Sequence, residues 1–516
     1  MNVALAVILS VLLAVAYCAQ MARWLRVLQR EHYDPTSMMR FLARWTSPNV
    51  SSKRVRRPVT VSHVLVLAMI VLLALRLWDL FVVAVVTYGL VCPWGLAVRG
   101  RTSPLDWTRR LRSTAIVAGV ITLAVAGLGA LAPHPLLVAA VTVLVVPLVL
   151  DLTTRALRPY EERGAQRYVD QAVQRLDRTH PRIVAITGSY GKTSTKNYLR
   201  SLLANEYGVV ASPRSFNNRA GLSRAINENL DEATRIFIAE MGTYGPGEIR
   251  ELTSWCSPEI AVVTAIGSVH LERMGSLDIV EAAKREITER AGTVVLNIDD
   301  PRLASWPASL RAEGKRVITA GSTNSDAEIR VIADSGCWSI NIDGATLAAV
   351  DEIVGVQPTN LACALGAAVA LHVDTEHLRA GLAGVSPVAN RLNVSTAASG
   401  VVVVDDTFNA NPASASAALK VLSSLQLAGR RVVVTPGLIE LGREQDRENA
   451  QLAHAVEVMS GELVAIGLTN ARALAAGSST TLRRFGRRED AVAWVRSTLG
   501  SGDAVLFLND LPDHYP

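Results

Sequence analysis

The sequence predicts an N-terminal α-helical membrane domain followed by α/β domains, the first built around a phosphate-binding loop and the second Rossmann-like. Three observations lead to this. Half of the 516 residues are hydrophobic and only 19% are charged, with a mean hydropathy of +0.26. That balance excludes a disordered or disulfide-stapled chain and points to membrane segments. Charge is divided along the length: residues 1–182 carry 22 Lys and Arg against 9 Asp and Glu, a net +13, and the other 334 carry 30 against 37, a net −7. From residue 183 onward, short apolar strands alternate with polar helices. Because the basic residues flank apolar runs, the overall +6 is not a nucleic-acid signature, and no nucleic-acid partner is expected. The five cysteines (Cys18, Cys92, Cys256, Cys337, Cys363) show no CxxC spacing, which fits reduced, mostly buried thiols.

Five apolar runs, near residues 2–19, 60–76, 79–98, 113–132 and 134–152, are long enough or nearly so to cross a hydrocarbon core of about 30 Å. The first lacks a basic leading segment and a clean cleavage site, so it reads as a retained span. Loop charge sets the orientation. Segment 20–60 carries nine basic residues against Glu31 and Asp34, and segment 99–112 carries five against Asp106. The connections near Leu77–Trp78 and Ala132–Pro135 are short and nearly uncharged. Five crossings put every basic loop on one side, with the N-terminus outside and the C-terminal part in the cytoplasm. The expectation is a multi-pass cell-membrane protein whose first partner is the lipid bilayer. The stretch from Arg23 to Arg44 reads as amphipathic and suited to an anionic leaflet. Ionisable residues (Arg76, Asp79, His63) sit only near the interfaces, which argues against a transporter core.

After a charged helix over 157–178 comes the strand Ile183–Thr187, then Gly188-Ser189-Tyr190-Gly191-Lys192-Thr193-Ser194, then a helix through Leu202. Strand, glycine loop and helix are the setting of a phosphate-binding loop, here in the short G-x-x-G-K-T form. Gly188 and Gly191 let backbone N–H groups turn toward an anion, and the helix N-terminus adds its partial positive charge. Lys192 reaches β- and γ-phosphates, and the Thr193 hydroxyl takes a Mg²⁺ position. Further strands are expected at Arg235–Glu240, Ile260–Ile266, Thr293–Asn297 and Val317–Thr319. Two strand ends carry chemistry: Glu240, with Gly242 two residues on, and the segment leading to His270. A carboxylate and an imidazole at adjacent strand ends, next to a phosphate loop, are expected to make a metal site. A Rossmann-like unit follows, with strands at Val401–Asp405, Arg431–Thr435 and Ala504–Leu508 and no G-x-G-x-x-G, so no dinucleotide is expected.

These motifs, in order, resemble those of the Mur ligases: GSYGKTSTK (188–196), SFNNRAGL (215–222), EMG (240–242), IG-x-x-HLE-x-x-GS (266–276), AAKREI (282–287), LNIDDP (296–301) and DDTFNANP (405–412). The resemblance covers residues 180–516 and is strongest to the MurF branch, which adds D-alanyl-D-alanine to a UDP-muramoyl tripeptide. Together with the apolar runs, which mark 1–152 as a membrane domain, it implies a Mur-type central ATP-binding domain over 153–389 and a Mur-type C-terminal domain over 390–516. It also implies ATP and Mg²⁺ as cofactors, with Gly188, Ser189, Gly191, Lys192, Thr193 and Ser194 on the phosphates and Asn297 on the adenine side. Arg391 and Asp406 match residues that close onto the nucleotide, and Asn217 and Asn218 match a loop near phosphates and acceptor. Thr193, Glu240, His270 and Lys284 match the metal environment, and Lys192, Lys284, His270 and Arg391 the catalytic set. Lys284 matches a lysine that is carbamylated in several relatives, a change that turns a repelling cation into an oxygen donor.

The implied reaction is amide formation through an acyl phosphate: a carboxylate takes the γ-phosphoryl group of ATP and an amine displaces phosphate. The acceptor side departs from the family. Membrane runs stand where relatives carry a UDP-gripping domain, Ala265 stands where they commonly carry Asn, and the tail Asn509–Pro516 differs from theirs. A shared reaction on a changed substrate is therefore expected: an amino acid or peptide amine joined to a cell-envelope carboxylate, lipid-linked or UDP-linked, with envelope-biosynthesis proteins as partners. Three alternatives stand beside it: a poly-γ-glutamate-synthase-like polymer ligase, an ATP-binding membrane scaffold without catalysis, and a transporter ATPase. The scaffold is disfavoured because Lys192, Glu240, His270, Lys284 and Arg391 occur together, and the ATPase by the absence of a paired-acid Walker B motif.

Overall fold

The computed structural model describes all residues except 1–2, 47–55, 94–95, 100–104, 205–207, 214–215, 270, 335, 354, 388–391, 408–409, 480–481, 512–514 and 516. Apolar composition makes the first third helical: α1 (Val3–Arg30), α2 (Pro35–Thr46), α3 (Arg56–Ala74), α4 (Trp78–Val91), α5 (Arg109–Gly129), α6 (Pro135–Leu144) and α7 (Val146–Thr179). Among the described residues two helices, α1 and α5, are long and apolar enough to cross a membrane, and the α6–α7 pair, bent by 67°, makes up to three. The expectation of about five transmembrane helices is thus corrected to two, or up to three, of sufficient length among the described residues. At 1.5 Å per residue the 14-residue α4 reaches only about 21 Å, and the run over 134–152 is broken at Val145. The charged helix expected at 157–178 is the continuation of α7, because nothing between the apolar and charged halves stops a helix; even Pro159 is carried inside it.

The chain then builds a nine-stranded sheet. In order come β1 (Arg182–Thr187), α8 (Lys192–Leu203), β2 (Val209–Ala211), α9 (Arg219–Asn229), β3 (Ile236–Glu240), α10 (Glu248–Trp255), β4 (Ile260–Val263), α11 (Leu271–Met274) and α12 (Leu277–Arg285). They continue with β5 (Thr293–Asn297), α13 (Trp306–Ala312), β6 (Arg316–Gly321), β7 (Ile329–Asp334), β8 (Cys337–Ile342), β9 (Ala345–Asp351), α14 (Pro358–Ala370) and α15 (Thr375–Leu382). Strand order is β2-β3-β1-β4-β5-β6-β7-β8-β9, parallel up to β7 and antiparallel through the β7–β9 meander. The near-continuous Val and Ile runs of β1, β3, β4 and β5 fit strands buried on both faces. One face packs on α8 and α14, the other on α10 and α12. β1 lies between β3 and β4, so the strand order reverses there and opens a crevice at the carboxyl ends.

A second sheet, in the order β10-β11-β15-β12-β13-β14, is formed by β10 (Asn393–Thr396), β11 (Val402–Asp406), β12 (Arg431–Thr435), β13 (Glu462–Ile466), β14 (Arg483–Phe485) and β15 (Ala504–Leu508). It is parallel apart from β10. Helices α16 (Pro412–Ser424), α17 (Gln445–Val458), α18 (Ala471–Ala476) and α19 (Arg488–Thr498) cover it, with its core around Val433, Leu463 and Leu506.

Candidate active site

The loop after β1 is shaped by its glycines. Gly188 (φ +149°) and Gly191 (φ +79°) occupy backbone conformations that side chains resist. A Cβ on Gly188 would stand 2.0 Å from Thr264 Oγ1, and one on Gly191 would stand 2.2 Å from Asn360 Oδ1. The loop is laced to the segment after β4: Ser189 N–H donates to Ala265 O at 2.7 Å, and Ser189 Oγ accepts from Gly267 N at 2.8 Å. Lys192 and Thr193 open α8, and Lys192 Nζ donates to Gly188 O at 2.7 Å. Ser194 is buried in the first turn of the same helix. Tyr190 packs against Gly267, and burial pushes its phenol well above the usual tyrosine range.

Glu240 ends β3 directly opposite Ile186 of β1, in the left-handed region at φ +63°. It is 1% exposed. Thr193 Oγ1 donates to its Oε2 at 3.0 Å, Lys196 Nζ at 2.9 Å, and Asn217 Nδ2 reaches Oε1 at 3.3 Å. Burial alone would raise the carboxyl, but Lys196, then Lys192, with the Lys196 and Thr193 hydrogen bonds, hold it below the usual range, so it stays ionised. Lys196 also donates to Ser212 O at 2.8 Å, which makes this a buried, hydrogen-bonded ion pair. Asn218 caps α9 through Gly221 N.

Lys284, near the end of α12, is buried; that burial, with Lys192 adding repulsion, brings its amine well below 10.5. Asn297 ends β5 and donates to Thr264 O at 2.8 Å, tying the adenine-side candidate to the loop of Gly188. Asp406 ends β11, buried, and accepts from the Leu392 N–H at 3.2 Å, which fixes the backbone beside position 391. His270 and Arg391 lie outside the described residues. The strand expected over Ile260–Ile266 stops at Val263, because Thr264 turns its hydroxyl onto the carbonyls of Thr187 and Tyr190. The ends of β3 and β4 are not neighbours, since β1 separates them. Among the described residues no three His, Cys, Asp or Glu side chains gather.

Sequence reasoning missed Lys196, Asn360 and Asp300. Lys196 stands one helical turn after Lys192, so its direction was readable from spacing. Asp300, which accepts from the Ile266 N–H at 2.6 Å, and Asn360 at the start of α14 arrive from distant chain and carry no local signal.

A family model for the Mur ligase middle domain matches residues 186–369, and one for the Mur ligase glutamate ligase domain matches 390–509. The UDP-N-acetylmuramoyl-tripeptide–D-alanyl-D-alanine ligase of Mycobacterium tuberculosis H37Rv is 30% identical over 366 residues, 63% of this chain and 69% of the relative. The chain belongs to the Mur ligase family. The Bacillus subtilis ligase of the same name is 27% identical over 340 residues, 63% of this chain and 72% of the relative. Among solved structures, MurF of Thermotoga maritima in complex with ADP superposes with TM-score 0.58 at 25% identity, covering 67% of this chain and 80% of that one. MurF of Acinetobacter baumannii shares the fold, with TM-score 0.58 at 23% identity over 67% of this chain and 77% of that one. Mur ligases are ATP- and Mg²⁺-dependent enzymes that form a C–N bond, and this chain is one of them.

Proposed function

We propose that the protein is a membrane-anchored, MurF-like ligase that activates a carboxylate of a cell-envelope peptide precursor as an acyl phosphate and joins it to an incoming amine. The observation that carries this reading is the meeting of Lys192, Thr193 and the ionised Glu240 at the carboxyl end of β1. Thr193 and Glu240 offer hard oxygen donors of the class Mg²⁺ takes, so these residues fit the ion, with His270 and Lys284 as further members of its surroundings. When bound, Mg²⁺ neutralises charge on the phosphoryl group in transfer. The loop of Gly188 to Ser194 holds the phosphates, Lys192 and Arg391 offset the charge that develops, and Asn297 and Asp406 serve the nucleotide side and the backbone next to Arg391. In the first step a carboxylate oxygen bonds to the γ-phosphorus and ADP leaves. In the second the amine nitrogen bonds to the acyl carbon, phosphate departs with the carboxylate oxygen, and the amine loses a proton.

Burial, with Lys192 adding repulsion, lowers the Lys284 amine's hold on its proton, and the neutral amine is the form that adds to CO₂. This supports a carbamate at Lys284. Membrane anchoring is supported by the side chains that α1, α3 and α5 expose, among them Ile8, Val11, Leu67, Ile70, Ile116 and Leu123. The α3–α4 hairpin leaves and returns on one side whether or not it crosses, so three or five crossings alike put the N-terminus outside and the ligase in the cytoplasm. We assign residues 1–152, 153–389 and 390–516 to the membrane, central and C-terminal domains.

The test is phosphate release by the detergent-purified chain, dependent on both carboxylate and amine and abolished by Lys192→Ala. Release with UDP-muramoyl tripeptide plus D-Ala-D-Ala identifies a MurF activity. Release with a lipid-linked muramoyl peptide alone identifies a membrane acceptor, and growing product from glutamate identifies a polymer ligase. Nucleotide binding without stimulated release by any pair sinks the proposal.

A further inference from the structure

The N-terminal helices touch the ligase domains at a corner where three parts of the molecule converge. The turn between α1 and α2 presents Glu31 and His32. Arg273, on α11, donates through Nη2 to Glu31 Oε2 at 2.8 Å, and the two side chains are only 11% and 6% exposed. The same guanidinium lies 4.6 Å over the Tyr244 ring, and the His32 ring stacks on Tyr244 at 5.4 Å, with Tyr244 Oη 3.4 Å from His32 Nε2. Arg273 follows His270 by three residues, and Tyr244 follows Glu240 by four. Both loops that carry the expected metal ligands therefore rest on one turn of the N-terminal region. The C-terminal domain arrives at the same point, where Glu272 N–H donates to Glu440 O at 3.4 Å and the Glu440 charge bears on Arg273.

We propose that Glu31 and Arg273, with the His32–Tyr244 stack, are positioning residues: the docked N-terminal region sets the two strand-end loops of the nucleotide site and so forms part of the ligase rather than only its anchor. The inference rests on the reading that those loops carry Mg²⁺ and nucleotide. Its physical basis is that a buried ion pair tolerates the loss of one partner poorly, because the other is left desolvated and uncompensated. A cation–π contact out of water adds to the grip on Tyr244.

The experiment uses the full chain in lipid nanodiscs and compares wild type, Glu31→Gln, Arg273→Gln and the double variant. Hydrogen exchange is followed over residues 241–247 and 267–276, and a fluorescent ADP is titrated with and without Mg²⁺. Each single change is expected to speed exchange in both loops by about tenfold or more and to weaken Mg²⁺-dependent ADP binding by a similar factor, with Mg²⁺-free binding within about twofold. The double variant should be no worse than the more impaired single one, as for partners in one interaction. Unchanged exchange over β12 to β15 separates local loosening from misfolding. Loops that exchange at wild-type rates in both single variants, or effects that multiply in the double variant, overturn the proposal. If wild type binds no Mg²⁺-dependent ADP at all, the nucleotide reading fails, while the exchange comparison still decides whether the corner holds the loops.

Discussion

The carboxyl end of the central sheet and the outer faces of the N-terminal helices solve opposite problems. Around β1 the polar side chains are satisfied within the protein: Ser189 by the backbone after β4, Glu240 by Lys196 and Thr193, Asn297 by the Thr264 carbonyl. Along α1 and α5 the exposed side chains are apolar, and polar ones gather at the end of the bundle nearest the ligase domains. There Arg23 donates to the carbonyls of Gly89 and Leu96 at 2.7 and 3.0 Å, near the carboxyl end of α4, where cations are favoured. The first region holds its polar groups in fixed geometry, and the second presents an apolar surface of the kind the proposed membrane anchoring needs. A perturbation should therefore act on chemistry in one region and on packing in the other.

The largest effect is expected at Lys192. Lys192→Ala removes the cation assigned to the phosphates and should lower carboxylate-dependent phosphate release by roughly a thousandfold or more, with a much smaller effect on thermal stability, since its Nζ hydrogen bond to Gly188 O stays within one loop. Full activity in that variant would break the assignment of the phosphate loop. Glu240→Gln should act on both chemistry and stability. It strands Lys196 in a buried site and should cost about 3–5 kcal/mol in unfolding free energy. The sign with pH follows from the depressed carboxyl: its stabilisation is complete above the unfolded value of 4.5 and is lost as pH falls through the lower folded value. Wild type and Glu240→Gln should therefore converge in stability only in acid, as measured by chemical denaturation across pH.

Lys284 separates chemistry from stability in the opposite direction. Its folded pKa lies well below 10.5, so without bicarbonate the unfolded chain binds the extra proton, and stability rises with pH from the folded value up to 10.5. Lys284→Met should abolish that rise and be more stable than wild type at neutral pH, yet lose most ligation. Labelled bicarbonate should give a carbamate carbon resonance in wild type that Lys284→Met lacks; its absence from wild type would remove the carbamate.

What could be read from the sequence follows from how local each determinant is. The strand–glycine loop–helix unit was legible because its parts are contiguous, and the place of Glu240 at a strand end because it closes an apolar run. The Lys196–Glu240 pair was not, since 44 residues and a strand crossing separate its members. The β7–β9 meander was missed although Trp338, Ile340 and Ile342 alternate with polar residues, the pattern of a strand buried on one face rather than the continuous apolar run of β1 or β4. The five apolar runs were visible as composition. Their lengths as helices were not, because hydropathy does not see the breakers: Pro147 in the first turn of α7, beside the break at Val145, and Pro93 just after the end of α4. The docking of Glu31 on Arg273 joins residues 242 apart, and no pattern in either segment announces it.

The smallest effect tests whether the two regions are separable at all. Gly89 of α4 lies where α1 and α6 approach: a Cβ there would stand 2.8 Å from Ala16 Cβ and 2.9 Å from Val143 Cγ1. Small residues at such crossings let helix backbones close together, and close packing substitutes for the hydrophobic force that lipid does not supply. Gly89→Ala should therefore cost about 1–3 kcal/mol by overpacking, seen as a lower melting temperature of the bundle in detergent. The turn holding Glu31 is gripped by a different cluster, around Trp24, Leu28, Met38 and Leu150, while Gly89 faces the one around Leu13, Ala16 and Val85. Mg²⁺-dependent ADP affinity should consequently stay within about twofold of wild type, since the added methyl crowds one cluster while the turn is packed in the other. A tenfold loss of that affinity would mean that packing inside the bundle reaches the nucleotide loops through the Glu31 corner, and the two regions would then have to be treated as one mechanical unit.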